Sequence, residues 1–179
     1  MFLCLTVEQR GIMVEPVTAA LAGIALVQKS VSSRWGYGNL MEYRVELRTV
    51  TSPDEVRIED DPVRRGYSYD FRMSDGRKIF TIPEKAVVCV AQTTDIPTTM
   101  DELKRFSTPK TDNFSIFYTV WSYEKGYGRL ILNYLLPLLN SNRYVTLSPK
   151  TEMAKRFHLR NGAKMIADND ESYNFEYYK

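Results

Sequence analysis

Two glycines, Gly126 and Gly128, stand between a stretch built for a strand and a stretch built for a helix, and they constrain the fold of this chain more than any other feature. Residues 114–121 are rich in the β-branched and aromatic types that suit a pleated surface, whereas residues 130–136 carry a leucine-rich apolar run. A strand that passes through Gly-x-Gly into a helix predicts a backbone that can approach an anion. The first amides of a helix have no intrahelical partner and carry the positive end of the peptide dipoles, so a phosphate can accept their hydrogen bonds. The same pattern also makes a plain tight turn. A Walker loop is excluded, because Arg129 and Leu130 follow the second glycine in place of Lys-Ser/Thr. A Rossmann fingerprint would want glycine or alanine where Ile131 stands, and would lie in the first βαβ unit.

With 179 residues, 44% hydrophobic and 12% aromatic, the chain can bury one substantial core, and a single domain with an appendage follows. Its 24 basic and 22 acidic residues are mixed along the sequence, so no electrostatic footprint for nucleic acid or an anionic membrane stands out. Arg64-Arg65 and Lys104-Arg105 read as solvated faces. Cys4 and Cys89 have neither a disulfide framework nor metal spacing, and Cys89, within Val87–Ala91, reads as a small buried hydrophobe. A reducing, cytoplasmic location is the expectation. His158 is the single histidine, so no metal site built on a His pair is expected.

Along the chain, residues 14–31 predict an apolar helix: Pro16 suits its start and apolar residues recur at 17, 20, 21, 24, 27 and 31. Its core of about eleven apolar residues falls short of the roughly 20 that span a bilayer, and a packing or assembly helix is expected, with Ala19 and Gly23 spaced for a close helix partner. Residues 1–12, ahead of Met13, are expected to carry no structural role, and residues 32–38 read as a linker. The division is thus an N-terminal segment 1–36 and a domain 37–179.

Residues 41–50 alternate as a half-buried strand, and residues 66–73 and 78–83 predict a hairpin turning on Asp75-Gly76. Residues 87–92 read as a buried strand, and a helix starting near Thr99 has Glu102 at capping-box spacing. After the glycine turn and its helix, which Pro137 ends or kinks, come a strand at 143–147, a helix at 151–160 closed by Asn161-Gly162, a strand at 164–167, a turn at 168–171 and a last antiparallel strand.

Strand, Gly-x-Gly loop, helix, strand, glycine-ended helix and terminal hairpin, in that order, resemble the second half of the GNAT superfamily of acyl-CoA-dependent N-acetyltransferases. The family's loop follows Arg/Gln-x-x-Gly-x-Gly/Ala, whose fixed places fall on Tyr123, Gly126 and Gly128; both glycines match and Tyr123 does not. Its next helix follows Asn-x-x-Ala-x-x-Leu-Tyr-x-x-x-Gly-Phe, whose places fall on Thr151, Ala154, Phe157, His158, Gly162 and Ala163. Alanine and glycine match, while histidine replaces tyrosine and Ala163 replaces phenylalanine. The resemblance covers residues 78–179 well and 40–77 loosely, since 52–66 leaves room for little beyond a turn or short helix where the family has one or two helices.

The resemblance implies an α+β fold with a mixed, mostly antiparallel twisted sheet flanked by helices. It implies acetyl-CoA as co-substrate and an amine of a small molecule or peptide as acceptor. The diphosphate would lie on the amides of Lys125, Gly126, Tyr127, Gly128, Arg129 and Leu130, and the pantetheine arm would run along Val120 and Ser122 in a splay between strands 114–121 and 143–147, with Thr151 nearby. His158 would stand where the family's tyrosine protonates the departing thiolate, and Glu84, Asp95 and Glu124 are the carboxylates considered as general bases. The alternative is a non-catalytic GNAT-fold protein, structural or virion-associated as in bacteriophages, that assembles, for instance as a homo-oligomer, through residues 14–31.

Overall fold

The computed structural model describes residues 27–33 and 41–179. Nine strands form one sheet among these residues: β1 Val27–Ser33, β2 Met41–Thr49, β3 Arg77–Ile82, β4 Ala86–Thr93, β5 Phe114–Ser122, β6 Arg143–Thr146, β7 Ser148–Pro149, β8 Lys164–Asp168 and β9 Ser172–Tyr177. They lie in the order β1-β2-β3-β4-β5-β6-β9-β7, with β8 on β9. All pairings are antiparallel except β5 with β6. Four α-helices among the described residues flank the sheet: α1 Tyr69–Arg72, α2 Met100–Phe106, α3 Tyr127–Leu135 and α4 Glu152–Arg160. The fold is α+β, with a mostly antiparallel sheet and helices against it.

Alternation in the central strands divides the core in two. Val88 and Val90 of β4 face α3, whose Ile131, Leu132 and Leu135 are buried against them, whereas Val87 and Cys89 face Met100 and Leu103 of α2. Both faces of β4 are covered, which is why its sequence reads as a continuous apolar run. Burial also pushes the Cys89 thiol up to about 11, so this cysteine is a core residue and not a nucleophile at neutral pH.

Helix ends follow their sequence signals. Thr99 Oγ1 accepts from the Glu102 amide and Thr151 Oγ1 from the Ala154 amide, each at 3.2 Å. The Glu102 carboxylate reaches back one residue further than a capping box would place it, to the Thr98 amide and hydroxyl. At the end of α4, Ala163 N donates to His158 O and Gly162 N to Leu159 O, the paired bonds of a Schellman motif.

Two expectations are corrected. Residues 66–73 are not the first arm of a hairpin, because Ser68 caps α1 and Arg72 folds its side chain inward. Asp75-Gly76 turns α1 into β3, and the hairpin is β3–β4, closed by residues 83–85. Most of the predicted helix 14–31, residues 14–26, lies outside the described residues; Val27–Ser33 form β1, paired with β2. Arg64 is not a solvated residue: it is half-buried against Leu147.

Among the described residues, no helix is long and apolar enough to cross a membrane.

Candidate functional site

At its C-terminal end β5 parts from its neighbour. Parallel pairing with β6 runs from Phe114/Arg143 to Phe117/Thr146, and the Leu147 amide donates the last bond to Phe117 O at 2.9 Å. Beyond it the chain turns to pair with β9 through Ser148 and Pro149, so β5 continues alone on that side. Its other side stays zipped to β4, with a bulge at Tyr118 where Cys89 pairs with Thr119 and Val90 with Phe117. Tyr123 N donates to Lys85 O at 2.8 Å, so by antiparallel alternation Trp121 and Thr119 also face β4. The main-chain groups of Val120 and Ser122 therefore face the splay.

The loop after β5 delivers an uncapped helix. Gly126 is its N-cap, with φ of +91° in the left-handed region, and no side chain bonds the helix start. Leu130 N makes the first helical bond, to Gly126 O at 3.0 Å; Tyr127 N bonds Glu124 O at 3.3 Å; the amides of Gly128 and Arg129 find no acceptor among the described residues. Nothing lies within 4 Å of the point where a Cβ on Gly126 would stand. Lys125 and Arg129 are exposed beside it and pair with no carboxylate among the described residues, while Lys85 pairs with Glu124 across the loop. An anion with several oxygens fits such a surface.

Gly128 is different. A Cβ there would stand 3.3 Å from Phe157 Cε2 and 3.6 Å from Ser122 Oγ, so the Phe157 ring of α4 stands over the place that a side chain on Gly128 would take. The structure thus brings Ser122, Gly126, Tyr127, Gly128 and the amide of Arg129 to one end of β5, with Lys125 alongside. Val120 lies one alternation earlier on the same strand. Thr151 caps α4, and its hydroxyl is occupied by the Ala154 amide.

His158 is buried, 6% exposed, with Nδ1 2.8 Å from Tyr177 Oη and its ring stacked on Phe175 at 5.0 Å. Burial pushes its pKa down to about 4, so at neutral pH it is an uncharged imidazole held in the core. Tyr123, in the place of the family's Arg or Gln, is engaged away from the loop. Its hydroxyl donates to Asp60 and accepts from Trp121 Nε1, with Arg57 over its ring. Of the carboxylates weighed as bases, Glu84 sits in the β3–β4 turn with φ of +59°, Asp95 accepts from Thr94 Oγ1, and Glu124 pairs with Lys85.

The carboxylate that sequence reasoning missed is Asp61. It is fully buried, bonded to Arg72 Nη1 at 2.8 Å, to Thr119 Oγ1 at 2.9 Å, and to the amides of Val63 and Arg64. An Asp-Pro step marks a turn, and the two amides it captures are that turn; its distant partners Arg72 and Thr119 leave no trace in local spacing.

No protein-family model and no curated protein matches this chain. Among solved structures, it is similar over 64% of its length to malonyl-CoA decarboxylase from Cupriavidus metallidurans, with a TM-score of 0.45 and 18% sequence identity. The aligned part spans 33% of that chain, about a third of its length.

Proposed function

We propose that the chain is an acetyl-CoA-dependent N-acetyltransferase with a GNAT-like arrangement of its sheet. The observation that carries this reading is the conjunction at the end of β5: a parallel pair that opens at Phe117/Leu147, directly upstream of a glycine-capped helix whose first amides have no acceptor. The terminal hairpin β8–β9, joined to β6 through β9, supports it, since the resemblance implies a hairpin at that place in the chain.

In this reading the diphosphate accepts bonds from the amides of Gly128 and Arg129, with Lys125 and Arg129 supplying charge. The outward main-chain groups of Val120 and Ser122 hold the pantetheine arm as an added strand. The acceptor nitrogen attacks the thioester carbonyl carbon, an N–C bond forms, the C–S bond breaks, and outward amides of β5 stabilise the oxyanion. His158 is a neutral imidazole at neutral pH, whose remaining N–H is too weak an acid to protonate a thiolate, so the departing sulfur takes its proton from solvent.

Isothermal titration with acetyl-CoA tests the reading. Binding is expected, and Lys125→Glu or Arg129→Glu should each weaken it about tenfold, as loss of a charged phosphate contact does. Absence of heat with the wild-type chain would remove the transferase reading. That outcome would favour the second one, a non-catalytic module, for which the contact of Phe157 with Gly128 speaks because it narrows the mouth of the splay.

A further inference from the structure

Behind the splay, on the face of the sheet that carries α2, lies a cleft of about 230 Å³, room for roughly seven waters. Leu147, the residue at which β6 leaves β5, lines it together with Arg64, Tyr67, Thr98, Glu171 and Ser172. Its walls are fixed. The Arg64 amide donates to Asp61 Oδ1 at 2.9 Å and its carbonyl accepts from Arg72 Nη2, so the buried Asp61–Arg72 pair clamps the Arg64 main chain from both sides. Ser172 Oγ donates to Thr98 O at 2.7 Å and Asn174 Nδ2 to Pro97 O at 3.1 Å, which ties the opposite wall to β9.

Opposite charges line this cleft: the Arg64 guanidinium on one side and the exposed carboxylates of Asp101 and Glu171 on the other. The Arg64 guanidinium is half-buried: its Nε is sealed from solvent without a partner, its Nη2 makes only a long 3.4 Å bond to Leu147 O, and no carboxylate among the described residues pairs with it, which leaves the Nη edge for a ligand. Glu171 is exposed and makes no ion pair among the described residues; its charge reaches Arg64, though desolvation and the charges of Tyr67 and Asp61 act on that guanidinium more strongly. Desolvation of an unpaired guanidinium is costly, and a planar carboxylate is the partner its fork fits. A cation at the inner wall and an anion at the rim suit a molecule that carries both signs close together.

We propose that this cleft takes the acceptor and that the acceptor is amino-acid-like, its carboxylate on Arg64 and its amine between Glu171 and Leu147. The proposal rests on the transferase reading. Entering as an ammonium, the nitrogen gives one proton to solvent before its lone pair attacks and a second as the N–C bond forms; the C–S bond breaks and the departing sulfur takes up one proton from solvent, so one proton is released net. Arg64 binds and orients; it takes no part in the bond changes.

Acetyl transfer to a panel of protein amino acids, each beside its carboxamide, tests this. The acids should be acetylated in preference to their amides. Arg64→Gln should raise KM for the acid about tenfold or more while leaving KM for acetyl-CoA unchanged, as expected for a lost bidentate pair. Glu171→Gln, on the exposed rim and harmless to folding, should also raise the acceptor KM, which keeps the idea exposed if Arg64→Gln fails to fold. Acetyl-CoA binding with equal use of acids and amides, or with no amino acid acetylated, would overturn this proposal and leave the transferase reading standing. No acetyl-CoA binding would overturn both.

Discussion

His158 shows how one residue's surroundings decide its chemistry. Its folded pKa of about 4 lies below the ordinary histidine value of 6.5, because burial against Phe175 and Tyr177 disfavours the charged ring. The unfolded chain therefore binds a proton that the folded chain refuses between these values. The stabilisation is complete above pH 6.5 and is lost as pH falls toward 4, a change of about 3 kcal/mol from this group. Urea denaturation at pH 7 and pH 4.5 should show wild type losing more stability than His158→Gln, whose side chain does not titrate. Equal losses would mean that the ring is accessible to water. Arg64 makes the complementary point: as a local dipeptide with Arg65 it reads as surface, whereas its amide is held by Asp61 in the turn and its carbonyl by the buried Arg72, a partner invisible in spacing.

For single elements, legibility tracks how local the cause is. The strands at β4 and β5, the Thr99 and Thr151 caps and the Gly162 stop are all readable, because each depends on residues within one turn of itself. The segment 66–73 misled because Tyr67, Tyr69 and Phe71 look like strand alternation, while Ser68 and the inward Arg72 side chain make a helical turn of it. In the candidate site, the glycines were legible and their unequal surroundings were not, since Phe157 approaches Gly128 from another helix. Gly126→Ala meets no neighbour but must hold φ at +91°, so it should cost about 1–2 kcal/mol in urea denaturation. Gly126→Asn, which tolerates that region better, should cost less. Equal stability of all three would mean that the loop adopts another turn in solution.

Over the whole molecule, the sheet is a single antiparallel body with one parallel seam, and the candidate chemistry gathers where that seam ends. Hydrogen exchange reads this directly. Within β5, the amides of Thr119 and Trp121, directed at β4, should exchange more slowly than those of Val120 and Ser122, directed at the splay. Acetyl-CoA should slow the latter pair selectively. Uniform exchange along the strand would contradict the register on which the site depends.

The extra residue at Tyr118 acts as a change of phase. Upstream, β5 offers odd-numbered carbonyls such as Phe117 O to β6; downstream, its even-numbered residues look that way and its odd ones are taken up by β4. Deleting that one residue would put the two halves in step, and a polar ledge would become an ordinary seam that the neighbouring strand could zip shut.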